Sequence, residues 1–345
     1  MKILFCDFIF QKGNAHVDTE IIKSFLRKND VTVMANSDRY SDKLPGAHFV
    51  ENKHYVREKG TIKIYLGILR NMILAAKYAN KYRPDCIFVS VYETRSFALG
   101  RLFFKDKNKI VILENANIDL LKKKSYRFFY NLYCNKVRHV VYESYMKDFL
   151  CKDICIKNEL INVMPHPCYE CIGLNTKKKE FDCIAISGSN DENQIREFVS
   201  YEKEHQVLRQ NNIRVLIKSK ETKYDNGFLV VTDEYFSNED YESYFENCKV
   251  VYTPFSDTYK YRMSGCFVDS FSHRKPVVSN TIMLATYYEK KFPGIIYTSC
   301  SPERIIKLMI QLCNQKIDSS MYDAFLEQHS RKYIDLSVDS ILNQE

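Results

Sequence analysis

The sequence predicts an α/β protein made of two βαβ domains, and three observations carry that prediction. Short, nearly continuous apolar runs recur along the chain, separated by longer amphipathic stretches, the rhythm of parallel strands joined by crossover helices. That rhythm stops at Met164-Pro165-His166-Pro167 and the polar, basic stretch Asn175–Lys179, then restarts, which marks a domain boundary. The 345 residues are enough for two separate cores.

The elements follow in order. Ile3–Asp7 reads as a buried strand, and the turn containing Gly13 leads into a helix over about 18–28 with Ile21, Ile22, Phe25 and Leu26 on one face. Val31–Met34 is a second strand. Ile62–Tyr82 is a long amphipathic helix stopped by Pro84. Cys86–Val91, Ile110–Leu113, Val137–Tyr142 and Ile161–Met164 are strands of continuous apolar character, as in a parallel sheet covered on both faces. Past the boundary, strands are predicted at Cys183–Ser187, Arg214–Ile217, Phe228–Val231, Val250–Tyr252, Val277–Val278 and Ile295–Tyr297. Helices are predicted at Glu192–Gln210, Glu239–Glu246, Cys266–Ser272, Pro302–Cys313 and over Met321–Leu342.

Composition narrows the function. Hydrophobic residues at 45% and charged residues at 27% exclude a disordered chain and a disulfide miniprotein. The net charge of +8 is uneven: residues 1–170 hold 29 Lys+Arg against 18 Asp+Glu, and the rest holds 22 against 25. The basic half implies an anionic partner. The apolar start at Ile3–Cys6 is too short for a signal-peptide core, and no stretch reaches the roughly 18 uncharged apolar residues of a membrane span. A cytosolic chain with reduced thiols is expected. Most of the 12 Cys lie in apolar strings, while Cys151, Cys155, Cys168 and Cys171, with His166 nearby, have a loose spacing that could hold zinc. The expectation is that no metal is bound there and that His166 is structural at the proline turn.

No G-x-G-x-x-G, Walker A, His-Glu-x-x-His or nucleophile elbow is present, and no two of the 10 glycines lie within five residues of each other. The informative segment is Thr253–Asn280. A strand ends at Tyr252, a loop carries Lys260, Arg262, Ser264 and Gly265, and a helix then begins. Small residues at a helix start present backbone N–H groups to an anion. Arg262 can add a bidentate phosphate contact.

The order Arg262-x-Ser264-Gly265-x3-Asp269, followed by Lys275-Pro276-Val277-Val278, resembles the nucleotide-sugar glycosyltransferases of GT-B fold, in particular the retaining group 1 enzymes of bacterial surface-polysaccharide synthesis. Arg83-Pro84-Asp85-Cys86-Ile87-Phe88 and Val163-Met164-Pro165-His166-Pro167 resemble two further landmarks of that family. The resemblance implies two Rossmann-like domains facing a central cleft: an acceptor domain over 1–168, a donor domain over 176–320, and a C-terminal helix over 321–345 that packs back on the first. It implies that Ser264 and Gly265 hold the donor diphosphate, that Arg262 neutralises it and that Asp269 binds the ribose. Lys218 and Lys220, and the small-residue loop at Gly188 and Ser189, would join the donor site. Gly13 and Asn14 would face the acceptor, and Glu114, Glu93 or His16 would be the base. One departure stands out, because Tyr261 occupies the place of the family's first acidic donor residue.

The expected donor is a UDP- or GDP-linked sugar, with no further cofactor. The acceptor would be a saccharide hydroxyl, free or lipid-linked, in capsule, O-antigen or exopolysaccharide assembly, and the activity that of a hexosyltransferase. Alternating cations and aromatics over 101–138 suit either an anionic membrane surface or an ordinary amphipathic helix, so a peripheral membrane location is expected as an addition to the cytoplasm. The alternatives are an epimerase of the same fold and a non-catalytic basic protein that binds RNA or membrane. No recognised nucleic-acid module is present, and no nucleic-acid partner is expected.

Overall fold

The computed structural model describes residues 1–9, 15–35, 40, 44–51, 61–168 and 180–344. The chain forms two compact units. The first comprises Met1–Pro167, Tyr261–Met263 and His329–Glu345, and the second comprises Cys168–Lys260 and Ser264–Gln328.

In the first unit the strands are β1 (Lys2–Asp7), β2 (Asp30–Ala35), β3 (His48–Glu51), β4 (Cys86–Val91), β5 (Ile110–Leu113), β6 (Arg138–Val141) and β7 (Ile161–Val163). They pair in parallel in the order β3-β2-β1-β4-β5-β6-β7. Strands β4 and β5 are buried along their whole length, because helices cover both faces of such a sheet. Phe88 of β4 stacks on Phe5 of β1 (5.6 Å between ring centroids) and meets Phe25 edge-on (5.2 Å). Each such pair adds about 0.5–1.5 kcal/mol beyond its buried area.

The second unit contains β8 (Cys183–Ala185), β9 (Val215–Lys218), β10 (Tyr224–Asp225), β11 (Leu229–Thr232), β12 (Val250–Thr253), β13 (Val277–Ser279) and β14 (Ile296–Thr298). The order is β10-β11-β9-β8-β12-β13-β14, parallel except for the edge pair β10–β11. Both sheets run outward in two directions from their first strand, the doubly wound arrangement.

Two predicted helices are interrupted. The stretch 192–210 forms Glu192–His205 and Val207–Gln210, because Gln206 takes a left-handed φ of 50°. The Glu202 carboxylate then accepts from the Leu208 N–H at 3.1 Å. The terminal stretch forms Asp323–Gln328, which groups with the second unit, and Arg331–Leu342, which groups with the first. The latter packs on the helix Ala15–Leu26. Asp335 pairs with Arg27 at 2.5 Å and with Arg331 at 3.0 Å, and it accepts from Ser24.

Close packing also sets one glycine. A Cβ on Gly100 would lie 2.6 Å from Met72 Sδ and 2.9 Å from Met72 Cβ, where the helix Thr94–Gly100 crosses Thr61–Tyr82. Gly100→Ala should therefore destabilise the protein by about 1–3 kcal/mol through overpacking, measured by denaturant unfolding.

Candidate functional site

Doubly wound sheets bind ligands beyond the carboxyl ends of their strands, next to the point where the strand order reverses. In the second unit that point lies between β8 and β12. Three of the loops read from the sequence as donor elements follow the adjacent strands β9, β8 and β12. Gly188 and Ser189 are exposed in the loop after β8. Buried Asn190 anchors that loop by donating to Ala185 O (2.7 Å) and Lys218 O (2.9 Å). Lys218 ends β9 with its ammonium 5.4 Å from the Tyr235 and Phe236 ring centroids. Exposed Lys220 follows, its N–H bound by Glu192 (2.7 Å). That carboxylate also accepts from Ser219 Oγ at 2.6 Å. Asp191 caps the helix Glu192–His205, accepting from Asn193 N and Gln194 N. An open depression of about 690 Å³ beside this helix start is lined by residues including Asp191, Gln194, Arg196 and Ser256.

After β12 the chain reaches the helix Gly265–Ser272. Ser264 is its N-cap and accepts from Phe267 N at 3.3 Å. A Cβ on exposed Gly265 would meet nothing within 4 Å, so the first turn is open to a ligand. Asp269 sits one turn further on, half-buried, and accepts from Tyr241 Oη at 2.7 Å. Burial pushes its carboxyl up to about 7, with the Tyr241 hydrogen bond opposing and Glu242 adding to the rise.

In the first unit the base candidates fare differently. Glu114, just past β5, is fully buried and does not reach solvent. Its Oε1 accepts from Tyr130 Oη (2.6 Å) and His139 Nδ1 (2.8 Å), and its Oε2 accepts from Tyr92 Oη (2.7 Å) and Asn117 Nδ2. Burial alone would raise its pKa. The His139 hydrogen bond and charge, with the bonds from Asn117 and Tyr130, outweigh that and hold it below the usual carboxyl range. The carboxylate read from the sequence as a candidate base is thus buried and engaged by four side-chain donors. Glu93 is the N-cap of Thr94–Gly100, accepting from Ser96 N (2.7 Å) and pairing with Arg95 (3.0 Å). His16 is exposed in the first turn of Ala15–Leu26. Gly13 and Asn14 lie outside the described residues.

Tyr261 and Arg262, expected in the donor site, make contacts with side chains of the first unit. Both group with the first unit. The Tyr261 N–H donates to Asp119 Oδ1 (2.7 Å), and its ring stacks on Phe149 with centroids 3.8 Å apart. The Arg262 guanidinium pairs with Asp119 Oδ2 at 3.0 Å, and Met263 N–H donates to Asn115 Oδ1 at 3.2 Å. The loop that starts at Glu114 thus holds 261–263 by two side chains.

One polar group at the carboxyl edge of the first sheet is absent from the sequence reading. Asp7, at the end of β1, and Asp18 are both buried, and Tyr40 Oη lies 3.4 Å from the first and 2.9 Å from the second. Ser90 of β4 also donates to Asp18, at 3.3 Å. An acidic residue closing an apolar strand was the visible signal, but Asp18 reads from sequence only as a helix start. His166 is buried against Tyr142 (4.9 Å), and burial lowers its pKa to about 3. Among the described residues no three His, Cys, Asp or Glu side chains gather as a metal site, and Cys171 lies outside them.

Two outcomes follow. Glu114→Ala should cost about 3–5 kcal/mol of unfolding free energy, since it strands the groups that face a buried charge. Denaturant unfolding measures this, and a variant of undiminished stability with lost turnover would make Glu114 a base after all. For Asp269, the folded protein keeps a proton that the unfolded chain has released, so stability should fall as pH rises from about 4 through about 7. Asp269→Asn should remove that fall in thermal unfolding across the same range.

No protein-family model matches the sequence, and no curated protein sequence matches it. Among solved structures, the chain is similar to a glycosyltransferase from Rickettsia africae at 11% identity and a TM-score of 0.69, covering 100% of this chain and 99% of that one. It is similar to Anabaena HepE in complex with UDP and glucose at 11% identity and a TM-score of 0.69, covering 100% of both chains. It is also similar to a UDP-N-acetylglucosamine 2-epimerase from Rickettsia bellii at 11% identity and a TM-score of 0.61, covering 99% of this chain and 96% of that one. Identities this low speak to architecture alone. With its two doubly wound sheets, the chain has the GT-B fold of two Rossmann-like domains.

Proposed function

We propose that the protein is a glycosyltransferase that takes its sugar from a nucleoside diphosphate sugar. One observation carries the reading. Exposed Gly188 and Ser189, the cations Lys218 and Lys220, and the open first turn of Gly265–Ser272 all follow adjacent strands at one sheet edge of the second unit. Such an edge offers backbone N–H groups, a helix dipole and ammonium groups to a diphosphate. Solved HepE structures of the same fold contain UDP or UDP-glucose, which supports a uridine donor over a guanosine one.

In this reading the leaving nucleoside diphosphate gains negative charge as the glycosidic bond breaks. Donors fixed in advance at the 265–272 helix start and the two lysines stabilise that charge without reorganising, which lowers the barrier. Asp269 and Tyr241 bind the ribose hydroxyls. The acceptor is a saccharide hydroxyl in surface-polysaccharide assembly. Of the base candidates, His16 is the one whose side chain is exposed, and an imidazole nitrogen can take a proton from a hydroxyl. Glu114 then serves as a positioning residue through the 114–119 loop.

A second reading, a nucleotide-sugar epimerase, is favoured by the similarity to the Rickettsia bellii enzyme. It shares the donor site and needs no acceptor.

Thermal unfolding in the presence of UDP, GDP and their sugars tests the donor site. A ligand at about 100 times its dissociation constant stabilises the folded state by about 2.7 kcal/mol. UDP is expected to raise the midpoint, and Lys218→Ala with Lys220→Ala should abolish the rise. No response to any nucleotide would sink both readings. Conversion of the donor's own sugar without acceptor would select the epimerase.

A further inference from the structure

One face of the first unit carries apolar side chains in water among cations. Six of the fourteen exposed large apolar side chains among the described residues fall here: Leu66, Leu99, Leu102, Phe103, Phe128 and Leu132, each 41–62% exposed. Leu99, Leu102 and Phe103 have helical spacing along Thr94–Gly100 and the turn Arg101–Phe103. Phe128 and Leu132 are one turn apart at the end of Lys124–Asn131. The two groups are neighbours, because the Arg101 guanidinium donates to Leu132 O at 2.9 Å. The Arg95 guanidinium lies between the Tyr65 and Tyr126 rings (4.4 and 4.5 Å), which ties the helix bearing Leu66 to the helix bearing Phe128. Asn80 binds Phe103 O and Lys105 N, both at 2.9 Å. Three helices and a turn thus present these apolar tips on a braced surface.

The charge around them is mainly positive, and the exposed acid Asp106 lies 3.9 Å from Lys109. Residues 101–138 contain ten Lys+Arg and three Asp+Glu. Of the acids, Glu114 is fully buried and Asp119 is paired with Arg262. Lys122, Lys123 and Lys124 are exposed at the start of Lys124–Asn131, and Lys123, the N-cap residue, offers no side-chain hydrogen bond to that helix. A helix N-terminus disfavours cations, so this cluster opposes the helix dipole and an external anion would relieve it.

We propose that this face docks the protein on an anionic lipid bilayer, with Leu102, Phe103 and Phe128 entering the interface and Lys122–Lys124 facing lipid phosphates. The inference goes beyond the donor reading and does not depend on it. Charge complementarity selects the occupant: a flat anionic surface satisfies both the scattered lysines and the apolar tips between them, as interfacial binding does elsewhere. Nucleic acid would match the lysines and leave the leucines in water.

Flotation of the 345-residue chain with phosphatidylcholine vesicles, with and without phosphatidylglycerol, tests the proposal at low salt. Binding is expected only with the anionic lipid. Each lysine near such a surface is worth about fivefold in partitioning, so the triple change Lys122→Ala, Lys123→Ala and Lys124→Ala should weaken binding by about 100-fold. The chain contains no tryptophan, so Phe128→Trp gives a single reporter. Its emission should shift to the blue and be quenched by brominated lipid when anionic vesicles are added. Circular dichroism melting checks that each variant is folded. No binding of the wild-type chain to anionic vesicles would overturn the proposal. So would binding that the folded triple variant retains in full, an unshifted Phe128→Trp emission, or preference for a single-stranded RNA over the vesicles. None of these readouts involves a nucleotide, so their failure leaves the donor site standing.

Discussion

A single buried charge organises the first unit. The Glu114 carboxylate closes β5 inside the protein, where an unpartnered ion would be costly. Four donors meet it from four places in the chain: Tyr92 after β4, Asn117 in the following loop, Tyr130 on the next helix and His139 on β6. His139 places both ring nitrogens within hydrogen-bond distance of oxygen atoms, Glu114 Oε1 at 2.8 Å and Cys134 O at 2.7 Å. The loop leaving Glu114 is fixed by this network, and it is this loop that supplies Asn115 and Asp119 to residues 261–263. A charge that cannot reach water here sets the position of the two side chains that hold 261–263.

Asp269 in the second unit shows the opposite balance. Both acids are displaced by burial, yet Glu114 ends below the usual range and Asp269 rises to about 7. The difference lies in the number of donors. Glu114 has four, including a His ring, whereas Asp269 accepts from Tyr241, and Glu242 repels it. Environments that separate two carboxyl groups in this way give them different work. A carboxylate with its donors complete stays charged in the interior, whereas one with fewer donors keeps its proton to higher pH.

The sequence made the architecture legible because a parallel sheet buried on both faces writes itself as apolar runs. Cys86–Val91 and Ile110–Leu113 are recovered at the bounds read from sequence. The short edge strands β3 and β10 were invisible, since edges carry polar residues and two to four of them make no pattern. The break at Gln206 was hidden because nothing in Glu-His-Gln-Val signals a left-handed residue. Site residues were legible where local chemistry decides them, as for Ser264 capping a helix. The burial of Glu114 was not legible because its four partners lie up to 25 residues away, and an acid after a strand otherwise looks like a loop residue. The ion pair of Arg262 was hidden for the same reason, since its partner Asp119 lies 143 positions earlier in a chain whose first unit is discontinuous.

That discontinuity has a consequence for how the protein is made. The helix Arg331–Leu342 belongs to the first unit, packing on Ala15–Leu26 and supplying Ile341 O to Arg138 at 2.6 Å. Between the two pieces the ribosome must synthesise the whole second unit. Domains usually fold in the order in which they emerge. Here the later unit, continuous but for three residues, can complete its sheet while the earlier one still lacks its last helix. The flank of Ala15–Leu26 then stays uncovered, and Arg27 without its Asp335 partner, until the last helix has been made.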